Sequence, residues 1–533
     1  GTVYHYTRDS EGRILTKSAW GKTLYETSYG ADGKPSGIVA QGVRTDYTYD
    51  AAGRLKKLVS DNGLSVQYRY DRNGMQTQML YGNGLVTAYT YDSRSRLTGM
   101  RSGFPDRTPL FDASYTYDAS GNRTGRQETV HGNHGTHKTP VTTAYGYDSM
   151  NRLVSENCGN SRISYKYDLS GNRISRDTDG RTENYLYNSR NQLTQLTGDD
   201  KNISYTYDPA GNLTEEHSTE HKKIYSYDTY NRNTEINGND FTQKNHYDAE
   251  GYRYSIEEND KVTNFVYRRG IMLAELDEAG NQAKTYTLGN EYAGHVSELN
   301  NSLTSENKAA SYYITDEQGS IRYILDQSGE VQNYYQYSAF GETIISEETT
   351  PNRLRYNTQT EDELTGFYYL RARYYAPGIG RFTQEDVIYN DGLNLYAYCN
   401  SNPVMYSNPS GFAKETCKSK VGGECDSGSG SETGPYAYLE DEPTVGAGKD
   451  FTAAQKQKML EENMKRNGGV VKSDNPNDYY DVLTKPKKSM KGVTPEPNEW
   501  QFDHIKPKDQ GGTNSYSNCQ IVSRKYNREK WNK

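Results

Sequence analysis

The stretch YGYDSMNRLVSENCGNSRISYKYDLSGNRISRDTDGRTENYLYN, residues 145–188, decides how most of this chain folds. Tyr-x-Tyr followed by Asp or Asn returns in it at a fixed interval, and Asp148, Asp168, Asn188, Asp208, Asp228 and Asp248 stand 20 residues apart. Self-similarity at a fixed period marks a repeat architecture. Side chains alternate along a strand, so Tyr-x-Tyr places two rings on one face. The Asp-x-x-Gly-Asn-Arg type of sequence that follows predicts a turn, because Asp folds onto nearby amides and Gly accepts positive φ. Leu-x-x-Leu or Arg-Ile-Ser then predicts the return strand, and each unit reads as a β-hairpin stacked on its neighbours.

Looser copies precede this register, at Tyr47-Tyr49-Asp50, Tyr68-Tyr70-Asp71, Tyr89-Tyr91-Asp92 and Tyr115-Tyr117-Asp118. From Asp118 to Asp148 the interval widens to 30 residues and takes in His131, His134 and His137, a spacing expected of an exposed loop more than of a metal site. Over residues 1–340 these units resemble the YD repeats of the Rhs and teneurin families. The resemblance implies a mainly β fold in which a hairpin spiral forms a hollow or partial shell.

Composition agrees with a β protein. Mean hydropathy is −1.03 and 32% of residues are hydrophobic, values that approach those of disordered chains, yet there are 51 tyrosines among 533 residues. Tyrosine buries a large ring while its hydroxyl finds a partner, so a polar chain can still build a core. No run of about 18 apolar residues predicts a membrane span, and no signal peptide is visible after Gly1, which reads as the start of a fragment or a processed product. Five irregularly spaced cysteines predict neither a disulfide framework nor a Cys-rich zinc site.

Residues 341–412 carry a second resemblance. Thr365-Gly366-Phe367-Tyr368-Tyr369-Leu370-Arg371-Ala372-Arg373-Tyr374-Tyr375, Gly380-Arg381-Phe382, Asn394-Leu395-Tyr396-Ala397-Tyr398 and Asn402-Pro403 are similar to the Rhs-associated core. That resemblance implies a plug that closes the shell, and self-cleavage by an aspartate pair before a variable toxin. Asp386 stands at the first acidic position, but Asn408-Pro409-Ser410-Gly411 has an amide where an aspartate is expected. Two carboxylates must share one proton in such chemistry, so Asn408 argues against cutting, whose expected place is Phe412-Ala413. Gly/Ser-rich residues 413–449 read as a linker.

Residues 450–533 hold 16 Lys+Arg against 11 Asp+Glu, whereas the rest of the chain holds 46 against 59. A basic domain therefore follows an acidic body, in keeping with a nucleic-acid partner. Asp450 or Thr452 is positioned to cap a helix over 453–466. Trp500 to His504 predicts a strand, Asn518 to Ser523 a second, and Arg524 to Lys530 a helix. Asp503-His504-Ile505, Gly511-Gly512, Asn518 and Asn527 in this ββα order resemble the HNH endonucleases. The resemblance implies His504 as general base, Asn518 as its orienting partner, and Asp503 with Asn527 as ligands of Mg²⁺ or Mn²⁺. Phosphodiester hydrolysis suits these types: imidazole takes a proton near neutral pH, and oxygen donors suit hard cations. Arg528 and Lys530 are candidate phosphate contacts, and Cys519 reads as core.

Together the resemblances imply a toxin of interbacterial competition. It would be secreted and would cut DNA in the target-cell cytoplasm, with a delivery machinery and a cognate immunity protein as partners. Two alternatives stay open: a teneurin-like adhesion or carbohydrate-binding protein with an inactive tail, and an RNase toxin.

Overall fold

The structure is a computed structural model that describes residues 2–107, 109–130, 137–298, 308–387, 394–412, 415–416, 436, 449–467, 470–474, 478, 480, 482–486, 496–504, 514–516 and 519–531. The chain divides into two compact units, Gly1–Cys425 and Asp426–Lys533.

In the first unit thirty-two strands, from β1 (His5–Arg8) to β32 (Thr343–Glu348), form one antiparallel sheet in which every strand pairs with the next along the chain. The sheet therefore continues past the expected end of the repeats at 340. One unit explains the rest. Tyr165 and Tyr167 end the strand Ser161–Tyr167, the register shifts between Lys166 and Tyr167, and Arg173–Thr178 returns. In the turn between them the Asp168 amide donates to the Asn172 carbonyl (2.9 Å), while Asp168 Oδ1 accepts the Asn172 amide (2.8 Å). Gly171 takes φ 82°; in other units Ser95, Asn151, Asn191 or Asn231 adopts the same left-handed conformation. Gly is therefore not obligatory here, since a short polar side chain tolerates this region.

The residue four after the aspartate fastens one turn to the next. As Arg152 it donates to Asp148 Oδ2 (2.7 Å) and to the Asp168 carbonyl (2.9 Å), and lies over the Tyr167 ring at 4.9 Å. As Asn172 it donates to Asp168 Oδ2 and to Asn191 Oδ1, both at 2.9 Å. The second tyrosine completes the stitch: Tyr167, Tyr187, Tyr227 and Tyr247 donate to the carbonyls of Leu153, Arg173, Leu213 and Asn233, each fourteen residues back, at 2.7–2.8 Å. Such rings supply apolar area without an orphaned hydroxyl, which is how so polar a chain sustains a core.

The turn aspartates also set an acid limit. Asp92 is held below the ordinary aspartate range, first by the Arg96 amide and then by the Arg96 guanidinium. Its bonds are fully present above the unfolded value of about 3.9 and are lost as pH falls through the lower folded value. The difference in thermal midpoint between wild type and Asp92→Ala should accordingly be largest near neutral pH and close in strong acid; a constant difference down to about pH 2 would refute this account.

The sheet winds until strands far apart in sequence meet. Leu24 and Ile38 pack with Leu273 and Ala274, and Leu58 and Met79 with Val296 and Tyr312. Polar seams join the same rows: Lys17 pairs with Asp248 (3.0 Å) and Glu250 (2.9 Å), Tyr81 Oη donates to the Tyr313 carbonyl (3.1 Å), and Arg123 pairs with Glu317 (2.7 Å). A small sheet of β33 (Thr360–Glu361), β34 (Tyr368–Tyr369), β35 (Tyr374–Ala376) and β36 (Arg381–Phe382) seats on the repeats. Asp362 beside it receives both Arg253 terminal nitrogens at 2.6 and 2.7 Å, and neither side chain has any exposed surface. Further along, Asn394 donates to Asn172 Oδ1 (2.7 Å) and Asn402 to the Asn151 carbonyl (2.8 Å), so the core segment rests on the turn edge of the repeats. A short pair follows, β37 (Tyr406–Ser407) with β38 (Glu415–Thr416).

The second unit comprises α1 (Ala453–Arg466), β39 (Trp500–His504), β40 (Cys519–Ser523) and α2 (Arg524–Trp531). Thr452 caps α1 in a reciprocal box with Gln455. Phe451, Met459, Leu483, Tyr516, Cys519 and Ile521 form its core together with Tyr436, which is fully buried. Tyr436 donates to Asp474 Oδ2 at 2.6 Å. Tyr436 and Lys449 thus fall in the second unit, inside the span 413–449 that reads as linker by composition, where Gly and Ser around it hide the aromatic anchor. A fragment starting at 426 should be more stable than one starting at 450 by about 1–3 kcal/mol, the worth of one buried aromatic side chain. Equal denaturation midpoints for the two fragments would contradict that.

Candidate functional site

The ββα segment is assembled by register and by its edges. Trp500 pairs with Ser523, Asp503 with Gln520 and His504 with Cys519, so His504 ends its strand opposite the start of the next. Along the outer edge of β40, Asp474 Oδ2 accepts the Ile521 amide (2.7 Å) and Asp478 Oδ2 the Ser523 amide (2.6 Å). α2 follows without a loop. The Ser523 hydroxyl accepts the Tyr526 amide (3.1 Å), and Glu499, 1% exposed, holds Arg524 at 2.6 and 3.1 Å, which places Asn527 in the first turn.

His504 is 6% exposed. Its Nε2 lies 3.0 Å from the Lys449 carbonyl oxygen, and its ring stacks on Phe451 at 4.2 Å and 24°. Asp503 is buried, with Oδ2 accepting the Gln520 amide nitrogen at 2.8 Å, a bond that orients the carboxylate as supporting residues orient metal ligands. Asp503 and Asn527 carry the donor types, a carboxylate and an amide oxygen, that would suit a hard divalent cation. Burial raises the Cys519 thiol far above its ordinary range, so it offers no thiolate.

Other expected residues are distributed differently. Asn518, His131 and His134 lie outside the described residues, as do the side chains of Arg528 and Lys530 on α2 and of His137, whose backbone opens the strand His137–Tyr147. Among the described residues no group of three His, Cys, Asp or Glu could hold a metal. His295 sits in the repeat core, where burial keeps its imidazole neutral well below the usual range. It is a packing residue.

Asp386 and the 408–411 turn meet at one side chain. Arg373 pairs with Asp386 Oδ2 at 2.7 Å, and its Nε donates to the Gly411 carbonyl at 2.5 Å, while Phe382 lies beneath the guanidinium at 3.6 Å. Asn408 is buried, and its carbonyl accepts the Gly411 amide at 3.4 Å. Gly411 has φ 76°, and a Cβ there would stand 2.5 Å from the Leu370 carbonyl oxygen, so glycine is required. Asp386 is thus an ion-paired carboxylate beside an amide-bearing turn. Ala413 lies outside the described residues.

Several residues that build the site carry no signal in the sequence. Asp474, Asp478 and Glu499 look like scattered surface acids, and the Lys449 contact is made by backbone. Gln455 could have been found from its place three residues after Thr452, where it completes the capping box; it also donates to the Asn514 carbonyl at 2.8 Å.

A teneurin YD-shell model matches residues 104–405, an RHS repeat model residues 49–86, and an HNH endonuclease model residues 487–533. The tRNA3(Ser)-specific nuclease WapA of Bacillus spizizenii is 37% identical over 175 residues, which cover 31% of this chain and 7% of that protein. Double-stranded DNA deaminase toxin A of Burkholderia cenocepacia is 35% identical over 108 residues, covering 19% of this chain and 8% of that protein. The chain thus spans less than a tenth of the length of these curated relatives. The Photorhabdus luminescens Tc holotoxin pore superposes with a TM-score of 0.58 at 20% identity, over 75% of this chain and 23% of that one, a likeness of fold. With more than half its length matched by the shell model and its C-terminus by the nuclease model, the chain belongs to the teneurin YD-shell family of Rhs-repeat proteins and ends in an HNH endonuclease domain.

Proposed function

We propose that residues 426–533 are a divalent-metal-dependent endonuclease that cuts DNA, carried as the toxic cargo of the YD-repeat unit into competing bacteria. The observation that carries this reading is the end of β39, where Asp503 and His504 stand side by side, paired through register to β40 and followed directly by the helix that bears Asn527. His504 takes the proton from the attacking water. Asp503, steadied by Gln520, and Asn527 would hold a hard divalent cation, which would supply charge compensation at the phosphate. Asn518 orients the base, and Arg528 and Lys530 meet neighbouring phosphates.

Release from the shell is a separate matter. With Arg373 on Asp386 and an amide at Asn408, the junction lacks the shared proton that an aspartate pair needs, so the cargo stays attached unless another agent cuts near Phe412. Partners of this reading are a delivery machinery and an immunity protein, with action in the target-cell cytoplasm. Among the described residues no helix is long and apolar enough to cross a membrane.

The name of the WapA relative favours a second substrate, tRNA. Parallel digestion of plasmid DNA, single-stranded DNA and tRNA with Mg²⁺, Mn²⁺ or EDTA separates the two. Cutting of plasmid that needs metal and His504 supports the DNase reading; cutting of tRNA alone replaces it.

A further inference from the structure

His504 makes two side-chain contacts with residues that precede α1 and lie outside the 487–533 region matched by the HNH model. A carbonyl oxygen only accepts hydrogen bonds, so at 3.0 Å from the Lys449 carbonyl the His504 Nε2 carries the hydrogen. The lone pair of the neutral ring then belongs to Nδ1. Phe451 lies nearly parallel to the imidazole, which fixes the ring plane and hence the direction of that lone pair. The segment is itself held at several points. The Asp450 carbonyl accepts the Asn514 side-chain amide at 3.3 Å, Gln455 holds the Asn514 carbonyl, the Thr452–Gln455 box sets the entry to α1, and Phe451 is buried in the core.

We propose that Lys449 and Phe451 are positioning residues of the nuclease site: the Lys449 carbonyl selects the imidazole tautomer with Nδ1 as base, and the Phe451 ring aims it. This rests on the reading of His504 as general base. The domain is then functionally larger than its motif. Residues 449–451 then decide which imidazole nitrogen carries the lone pair. A nuclease trimmed to begin at 452 would keep every motif residue and lose the orientation of the base.

The test uses the full chain. Phe451→Ala should lower kcat for the cleaved nucleic acid by about 10- to 100-fold, the scale of a small misplacement of a catalytic group, with KM changed less than about twofold. Phe451→Tyr, which keeps a ring, should recover most of the loss. Val471→Ala removes apolar volume from the same core away from His504 and should keep the wild-type kcat, so a general loosening of the fold would affect both variants alike and overturn the proposal. A faster Phe451→Ala enzyme would also overturn it, because the segment would then be a cover over the base. A second readout does not depend on activity: with ¹⁵N-histidine labelling, the His504 signals, assigned by their loss in His504→Ala, should show hydrogen on Nε2, and hydrogen on Nδ1 refutes the assignment. If the wild-type chain cuts no substrate, the base reading fails, and this tautomer measurement alone decides whether residues 449–451 hold the ring.

Discussion

His504→Gln should lose metal-dependent cleavage by about 10³-fold while the second unit stays folded, the middle of the range for removing a positioned general base. Glutamine is the informative replacement. It keeps a side-chain N–H for the Lys449 carbonyl and part of the stacking area on Phe451, but its amide cannot take a proton from water at neutral pH. His504→Ala should give the same loss with some added cost from the space left against Phe451. The measurement is the initial rate on plasmid and tRNA at saturating Mg²⁺, beside the thermal midpoint of each variant. Cutting by His504→Gln at a tenth of the wild-type rate or better would remove His504 from the chemistry.

The second large effect lies in the shell. Asp362→Ala leaves Arg253 wholly buried with its paired carboxylate gone, and breaking one side of such a pair costs about 3–5 kcal/mol. The Tyr374 hydroxyl, 2.7 Å from Arg253 Nη1, cannot replace a negative charge. Removing both charges is a different experiment. Arg253→Met with Asp362→Leu keeps apolar volume and leaves no stranded ion, so its stability should stand close to that of wild type. Denaturant midpoints followed by far-UV circular dichroism check both, since strands of the first unit dominate that signal. A single variant as stable as the double one would mean that the pair is not what clamps the core segment to the repeats.

The hairpins were legible because everything that makes them is local. Tyr165, Tyr167, Asp168, Gly171 and Asn172 sit within eight residues, and their strand, turn and stitch follow from spacing and chemistry. The pairing of Lys17 with Asp248 was not legible, because nothing in either residue type names a partner 231 positions away. At the nuclease end Asp503 and His504 announced themselves by adjacency. Tyr436 was masked by Gly and Ser around it, and the Lys449 carbonyl has no signature in sequence at all, since every residue carries one. The sequence also favoured glycine at the turns, whereas Asn and Ser serve as well where the backbone needs only a small polar side chain.

The two kinds of bond in the repeat sheet obey different arithmetic. Tyrosine stitches and turn clasps link a hairpin only to the next, so they are indifferent to how many hairpins there are. The seams from Lys17 to Asp248, Tyr81 to Tyr313 and Arg123 to Glu317 compare positions about one winding apart, and they are satisfied only at one count. Adding or deleting a single 20-residue unit between those partners would leave every local bond in place and put all three seams out of step. The winding therefore works as a vernier: local periods set the pitch, and the long-range seams read off whether the number of units is right.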